Sequence, residues 1–90
     1  MRYYEYKKIF YPSVHLDLKK IRDENFKYLK FGFIIDHQTD YHYVLRKLNN
    51  IYLLHEVGYF TGETIISYGF SILDIKDYLE KIHPINVILK

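Results

Sequence analysis

Residues 28–36 read YLKFGFIID, and this stretch decides the fold class. Every second position carries an apolar side chain: Leu29, Phe31, Phe33 and Ile35. In an extended chain alternate residues point to the same face, so the pattern predicts a β-strand with one strongly apolar face. We expect this strand to be the central strand of a sheet.

A helix is predicted near the end of the chain, from Ser71 to His83. Ser71 and Asp74 have the spacing of a capping box, with Asp in place of the usual Glu. Pro84 follows the helix and prevents its continuation. Apolar residues recur at helical spacing at Ile72, Leu73, Ile75, Tyr78, Leu79 and Ile82. We expect Leu73, Ile75, Leu79 and Ile82 to form the apolar stripe that packs on the sheet.

The sequence between these two elements predicts a meander, that is, consecutive antiparallel strands separated by turns. Its expected parts are a strand Tyr41 to Leu48, an Asn49-Asn50 turn, a strand Ile51 to Phe60, a turn Thr61-Gly62-Glu63 and a strand Thr64 to Phe70. The alternative is a single helix from Asp40 to Val57 that ends at Gly58. We favour strands, because β-branched and aromatic residues dominate this region.

Two segments near the ends of the chain are less distinct. In the segment Ser13 to Asn25, helical spacing of Val14, Leu18 and Ile21 competes with the alternation of a strand, and we favour a short helix capped by Ser13. The last apolar residues, Asn86 to Leu89, are short enough to form an edge strand.

The composition predicts one α+β domain over residues 1–90. The sheet is mainly antiparallel, with about four to six strands, and it is joined by the C-terminal helix and a short N-terminal helix. The chain has no Cys, so stability must come from packing rather than disulfides or thiolate metal sites. Aromatic residues make up 19% of the chain, and eleven of them are Tyr, so large side chains supply the core.

Charge and hydropathy favour a protein that works in the cytoplasm. The longest apolar runs hold four residues or fewer, against the roughly 18 needed to cross a bilayer, and we expect neither a signal peptide nor contact with a membrane. The formal net charge of +2 is too small to indicate nucleic-acid binding by itself. Ala is absent while Ile, Lys, Tyr and Asn abound, which is typical of A+T-rich coding DNA and suggests a low-GC bacterium, its phage or a large DNA virus.

One cluster could carry acid–base or metal chemistry. It follows the predicted central strand and contains Asp36, His37, Asp40 and His42. Carboxylates and imidazoles are ligands for divalent metals, so a metal-dependent nuclease is one hypothesis. The spacing matches no His-Glu-x-x-His motif and equally suits a polar turn, so we predict no metal and no cofactor. Without a nucleophile elbow or a phosphate loop either, we expect that the protein is not an enzyme.

Two patches combine basic and aromatic residues, which suits stacking on unpaired bases and neutralisation of phosphates. Acidic residues interrupt both patches, which is typical of ordinary solvated surfaces. Nucleic-acid binding is therefore the second hypothesis. The first patch consists of Tyr3, Tyr4, Tyr6, Lys7 and Lys8, and the second of Lys19, Lys20, Arg22, Lys27 and Lys30.

The preferred hypothesis is a non-enzymatic protein-binding module. Tyr supplies large contact area at low entropic cost, and a chain of this size cannot bury all eleven Tyr and six Phe. By analogy, a small motif-free domain of this composition suggests a phage or mobile-element inhibitor that occludes a host or defence protein, as anti-CRISPR proteins do. The partner we expect is a host protein, and the composition is also compatible with a homodimer. We expect the exposed Tyr and Lys residues of the two patches to bind the partner.

Overall fold

The structure is a computed structural model, and it describes residues 11–90. This part of the chain forms six strands and two helices. In chain order they are β1 (Ser13–Leu16), α1 (Leu18–Arg22), β2 (Tyr28–Ile35), β3 (Thr39–Leu48), β4 (Ile51–Gly58), β5 (Gly62–Gly69), α2 (Ile72–Ile82) and β6 (Asn86–Leu89).

The strands form two sheets. Four consecutive strands make an antiparallel meander in the order β2-β3-β4-β5, and β1 pairs with β6 in parallel. The predicted α+β class with a mainly antiparallel sheet and a C-terminal helix is therefore confirmed. No helix within residues 11–90 is long and apolar enough to span a bilayer.

The two faces of the four-stranded sheet differ in chemistry. Residues paired across neighbouring strands share a face, because side chains alternate along each strand. One such row joins Leu29, Leu45, Leu54 and Ser67 on what we call the core face. The adjacent row joins Lys30, Val44, His55 and Ile65 on what we call the open face.

The core lies between the core face and the helices. Leu45 and Leu54 of the sheet are fully buried in one cluster with Ile75 and Leu79 of α2. The helix contacts β4, β5 and β6. The parallel strand pair and α1 complete the cluster with Val14, Leu16, Ile21, Ile85 and Val87.

Both predicted strands around Asn49 are present, and the alternative helix from Asp40 to Val57 is not. Asn49 has a φ of 54°, which Asn tolerates better than most residues in a tight hairpin. One prediction was wrong, since β2 is an edge strand among the described residues, while β3 and β4 are central. The alternation in β2 shows only that one of its faces is buried, and this does not distinguish an edge strand from a central one. The central strand β3 instead buries three consecutive residues, so both of its faces are covered there.

The segment after Pro12 also differs from its prediction. Ser13 does not cap a helix but begins β1, because Ser13 to Leu16 pair with Asn86 to Leu89. The helix starts later and is capped by Asp17, whose carboxylate accepts a hydrogen bond from the Lys20 N–H. The predicted edge strand at the C-terminal end is confirmed as β6.

The predicted helix from Ser71 to His83 is confirmed with its capping box. The Ser71 hydroxyl accepts from the Leu73 N–H at 3.2 Å, and Asp74 Oδ2 accepts from the N–H groups of Phe70 and Ser71, both at 3.1 Å. Two positions of the predicted stripe were wrong, because Leu73 and Ile82 are exposed, and Ile72 is buried instead.

The Asp74 carboxylate is the basis of a stability prediction. Asp74→Ala leaves the Phe70 and Ser71 N–H groups without this acceptor, so we expect the free energy of unfolding to fall by about 1–2 kcal/mol. Asp77→Ala is the matched control, since Asp77 is exposed on the same helix and has no capping role. Urea unfolding of the two variants measures the difference. Equal stability would contradict the assignment of the cap.

Candidate functional site

The first predicted patch, Tyr3, Tyr4, Tyr6, Lys7 and Lys8, lies outside the described residues. The second patch is exposed. Lys19, Lys20 and Arg22 project from α1, and Lys27 precedes β2. A surface groove of about 430 Å³ is lined by Lys20, Asp23, Asn25, Phe26, Lys27 and Tyr28.

Two of the acidic residues that interrupt this patch in sequence bind the backbone in the structure. Asp17 caps α1, and Asp23 Oδ1 accepts from the Asn25 N–H at 2.8 Å. Two cations lie near the Tyr28 ring, with Lys30 Nζ 5.9 Å and the Arg46 guanidinium carbon 5.5 Å from its centroid. The patch therefore combines an exposed ring with cations, and two of its carboxylates are engaged locally.

The Asp/His cluster is divided between a turn and a strand. Asp36 and His37 have φ of 54° and 57°, and the Gln38 N–H donates to the Ile35 carbonyl, which is the pattern of a type I′ turn. Asp40 and His42 share the open face, with Oδ2 and Nε2 3.2 Å apart, and both side chains are exposed. Within residues 11–90 no group of three or more Asp, Glu or His side chains is placed to hold a metal ion.

The open face carries a charged group that sequence reasoning missed. Arg46 of β3 reaches across β4 and donates to both carboxylate oxygens of Glu63 on β5, at 2.9 to 3.2 Å. His55 Nδ1 lies 3.3 Å from the same carboxylate. The hydrogen bonds from Arg46 lower the pKa of Glu63, so this carboxylate stays ionised and paired at neutral pH.

The tip of the β4–β5 hairpin is the most exposed apolar feature of the described chain. Tyr59 and Phe60 are each 93% exposed, and their rings meet edge to face with centroids 4.7 Å apart. The sequence predicts both residues at the end of a strand, but the strand ends at Gly58. The turn Tyr59-Phe60-Thr61 is followed by Gly62 with a φ of 68°.

Glycine adopts the left-handed backbone at position 62 without strain. The hairpin therefore consists of a three-residue loop that is followed directly by a glycine. Gly58 and Gly62 flank the loop, and this spacing was the signal that could have located the tip. Further exposed apolar side chains follow along β5 and just beyond it: Ile65, Tyr68, Phe70 and Leu73.

An aromatic group around His83 closes the core at the end of α2. His83 Nε2 lies 2.6 Å from the Tyr43 hydroxyl, and its ring packs against Phe33, Tyr41 and Tyr43. Burial, with a smaller contribution from Glu56, raises the pKa of Tyr43 to about 12. Burial also lowers the pKa of His83, against the opposing charge of Glu56. At neutral pH the Tyr43 hydroxyl and the His83 imidazole are therefore both uncharged, and they share one hydrogen bond.

Comparison with known proteins places the chain in no established group. No protein-family model matches it, and neither a curated protein nor a solved structure shows significant similarity. The class that fold and surface define is a small α+β domain with exposed aromatic residues.

His83 gives a prediction about pH. The folded state lowers the pKa of this imidazole below its ordinary value of 6.5, so well above pH 6.5 the imidazole is neutral in both states and does not affect the free energy of unfolding. As the pH falls below 6.5 the unfolded chain takes up the proton first, and the free energy of unfolding decreases. We expect wild-type melting temperatures to fall between pH 7 and pH 5, as measured by calorimetry.

The matched control is His83→Gln, whose side-chain amide can still donate to or accept from the Tyr43 hydroxyl and does not titrate. This variant should lose the decline between pH 7 and pH 5. The same substitution at His15, which is exposed on β1, should retain it. A decline of equal size in His83→Gln would assign the effect to other groups.

Proposed function

We propose that this protein is a non-enzymatic protein-binding module that contacts its partner through the β4–β5 hairpin tip. The observation that supports this proposal is the exposure of Tyr59 and Phe60, 93% each, on a short turn between two glycines. A typical surface leaves apolar residues scattered singly, whereas contiguous exposed aromatic side chains mark contact sites.

The geometry of the tip favours insertion into an apolar cleft of the partner. The two rings contact each other edge to face, so both project from the same short turn as one apolar unit. Aromatic side chains of this kind are the residues that carry most energy in interfaces. No charged residue lies in the turn itself, so insertion requires no ion to be desolvated.

The partner that we propose is a host protein in the cytoplasm, and the mode of action is occlusion of that partner's working surface. A compact hairpin that blocks a cleft needs no catalytic group, which agrees with the absence of a familiar catalytic motif in the sequence. The proposed source is a phage or another mobile element, on the compositional grounds given above.

A double substitution tests the proposal. Tyr59→Ser with Phe60→Ser removes both rings and leaves the turn glycine and the core unchanged, so the fold should persist while affinity falls about a hundredfold or more. The measurement is capture from nuclease-treated host lysate, followed by calorimetric titration with the purified captured protein. Leu48→Ser is the matched control, since Leu48 is 63% exposed at the end of a neighbouring hairpin. Equal capture by the double variant and the control would contradict the proposal.

Nucleic-acid binding is a second candidate, and the position of Tyr28 favours it. The exposed Tyr28 ring lines the same groove as Lys20 and Lys27 and lies near Lys30, so it could stack on a base while these lysines neutralise phosphates.

The test uses fluorescein-labelled single-stranded oligo(dT) and anisotropy at several salt concentrations. Lys27→Ala with Lys30→Ala should weaken binding and reduce the salt slope by about 0.7 for each lost contact. Tyr28→Ala should cost about 1–3 kcal/mol, which Tyr28→Phe should not. Lys81→Ala with Lys90→Ala, on exposed positions elsewhere, is the charge-matched control. Binding that does not weaken as salt rises would exclude this candidate.

A further inference from the structure

A hollow of about 330 Å³ lies on the open face of the four-stranded sheet, opposite the core face that α2 covers. All four strands contribute to it, and we call it the open-face hollow. Its volume is at the lower end of the range for ligand sites, which is roughly 300–1,000 Å³. The open-face side chains that line it are Lys30, His42, Val44, Val57 and Glu63.

The absence of a side chain at Gly32 leaves room for one wall of this hollow. Gly32 and His42 face each other across β2 and β3. A Cβ at position 32 would lie 2.8 Å from the Tyr41 carbonyl oxygen and 3.0 Å from His42 Nδ1, so a side chain does not fit there without a shift. Asp40 Oδ2 lies 3.2 Å from the other ring nitrogen of His42. The imidazole therefore lies against the backbone of β2, next to Lys30.

The charges around the hollow leave one cation without an ionic partner in the described part of the chain. Glu63 is neutralised by Arg46, which donates to both of its carboxylate oxygens. Lys30 forms no ion pair with any residue in the range 11–90, and its ammonium group lies 5.9 Å from the centroid of the Tyr28 ring. An ammonium group of this kind binds phosphate or carboxylate groups as a point charge.

The floor of the hollow is apolar. Val44 is buried although it does not belong to the cluster between the core face and the helices, and Val57 beside it is 36% exposed. A ligand with an apolar body would remove the exposed surface of Val57 from water, which favours binding. The hollow thus combines one cation with an apolar floor, and a few polar groups on an apolar surface are typical of small-ligand sites.

We propose that the open-face hollow binds a small organic anion. The charged group of the ligand pairs with Lys30, and its apolar body lies on Val44 and Val57. Because one ammonium group supplies the recognition of charge, the affinity for a small probe is in the millimolar range. The hollow contains neither Tyr59 nor Phe60, so this site does not depend on the contact proposed for the hairpin tip.

Titration of the ¹⁵N-labelled full chain with phenyl phosphate, followed by NMR, tests the proposal. We expect the amide signals of Lys30, His42, Val44 and Val57 to shift and to saturate, with a Kd on the order of 1 mM. Inorganic phosphate lacks the apolar body and benzyl alcohol lacks the charge. Each should therefore bind about fivefold more weakly or less well still.

Two substitutions separate the contribution of charge from that of space. Lys30→Met removes the charge and retains an unbranched side chain, so it should weaken binding of phenyl phosphate about tenfold or more. Lys81→Met is the matched control, since Lys81 is exposed on α2 and should leave binding unchanged. Val57→Phe narrows the hollow without changing any charge and should also weaken binding. Circular dichroism confirms that each variant is folded.

Shifts that do not saturate, or that arise only away from the hollow, would overturn the proposal. Wild-type affinity in Lys30→Met or in Val57→Phe would also overturn it, as would equal weakening in Lys81→Met. Equal affinity for phenyl phosphate and inorganic phosphate would show that the apolar floor contributes nothing. Displacement of phenyl phosphate by single-stranded oligo(dT) would assign Lys30 to the nucleic-acid candidate and overturn a small-anion site.

Discussion

The burial of α2 against the core face is the interaction on which the rest of the structure depends. Ile75 and Leu79 are fully buried with Leu45 and Leu54 of the two central strands. Each such side chain contributes about 1.5–3 kcal/mol relative to exposure, so this contact makes a large apolar contribution to the stability of the sheet. It also determines which face of the sheet is left open, and therefore where Lys30, Val44, His55 and Ile65 lie.

The connection from β5 into α2 is constrained by the same packing. Gly69 ends β5 in a buried position, where a Cβ would lie 2.4 Å from the Cβ of Asp74. Asp74 must approach this closely because its carboxylate accepts from the Phe70 and Ser71 N–H groups. The last residue of the strand and the first turn of the helix are thus positioned together, which turns the chain sharply and leaves Phe70 on the surface.

Local signals made part of this fold predictable. The capping box at Ser71, the alternation of β2 and the hairpin at Asn49 each depend on residues close in sequence. β1 could not be predicted in this way, because its partner β6 lies at the far end of the chain and both strands are short. The edge position of β2 within the described sheet was missed because alternation reports burial of a face, not the number of neighbouring strands. The hairpin tip was missed as a candidate site because Tyr59 and Phe60 were predicted to be strand residues. The predicted patch from Tyr3 to Lys8 lies outside the described residues.

The Arg46–Glu63 bridge connects two strands of the sheet that are not neighbours. It ties β3 to β5 across β4, so the edge strand is held by a side-chain bridge as well as by its backbone ladder. Exposed ion pairs contribute little free energy on their own, but a bidentate geometry restricts the direction of the strand that carries it. The same bridge therefore neutralises the only charge of β5 and fixes the position of this strand relative to β3.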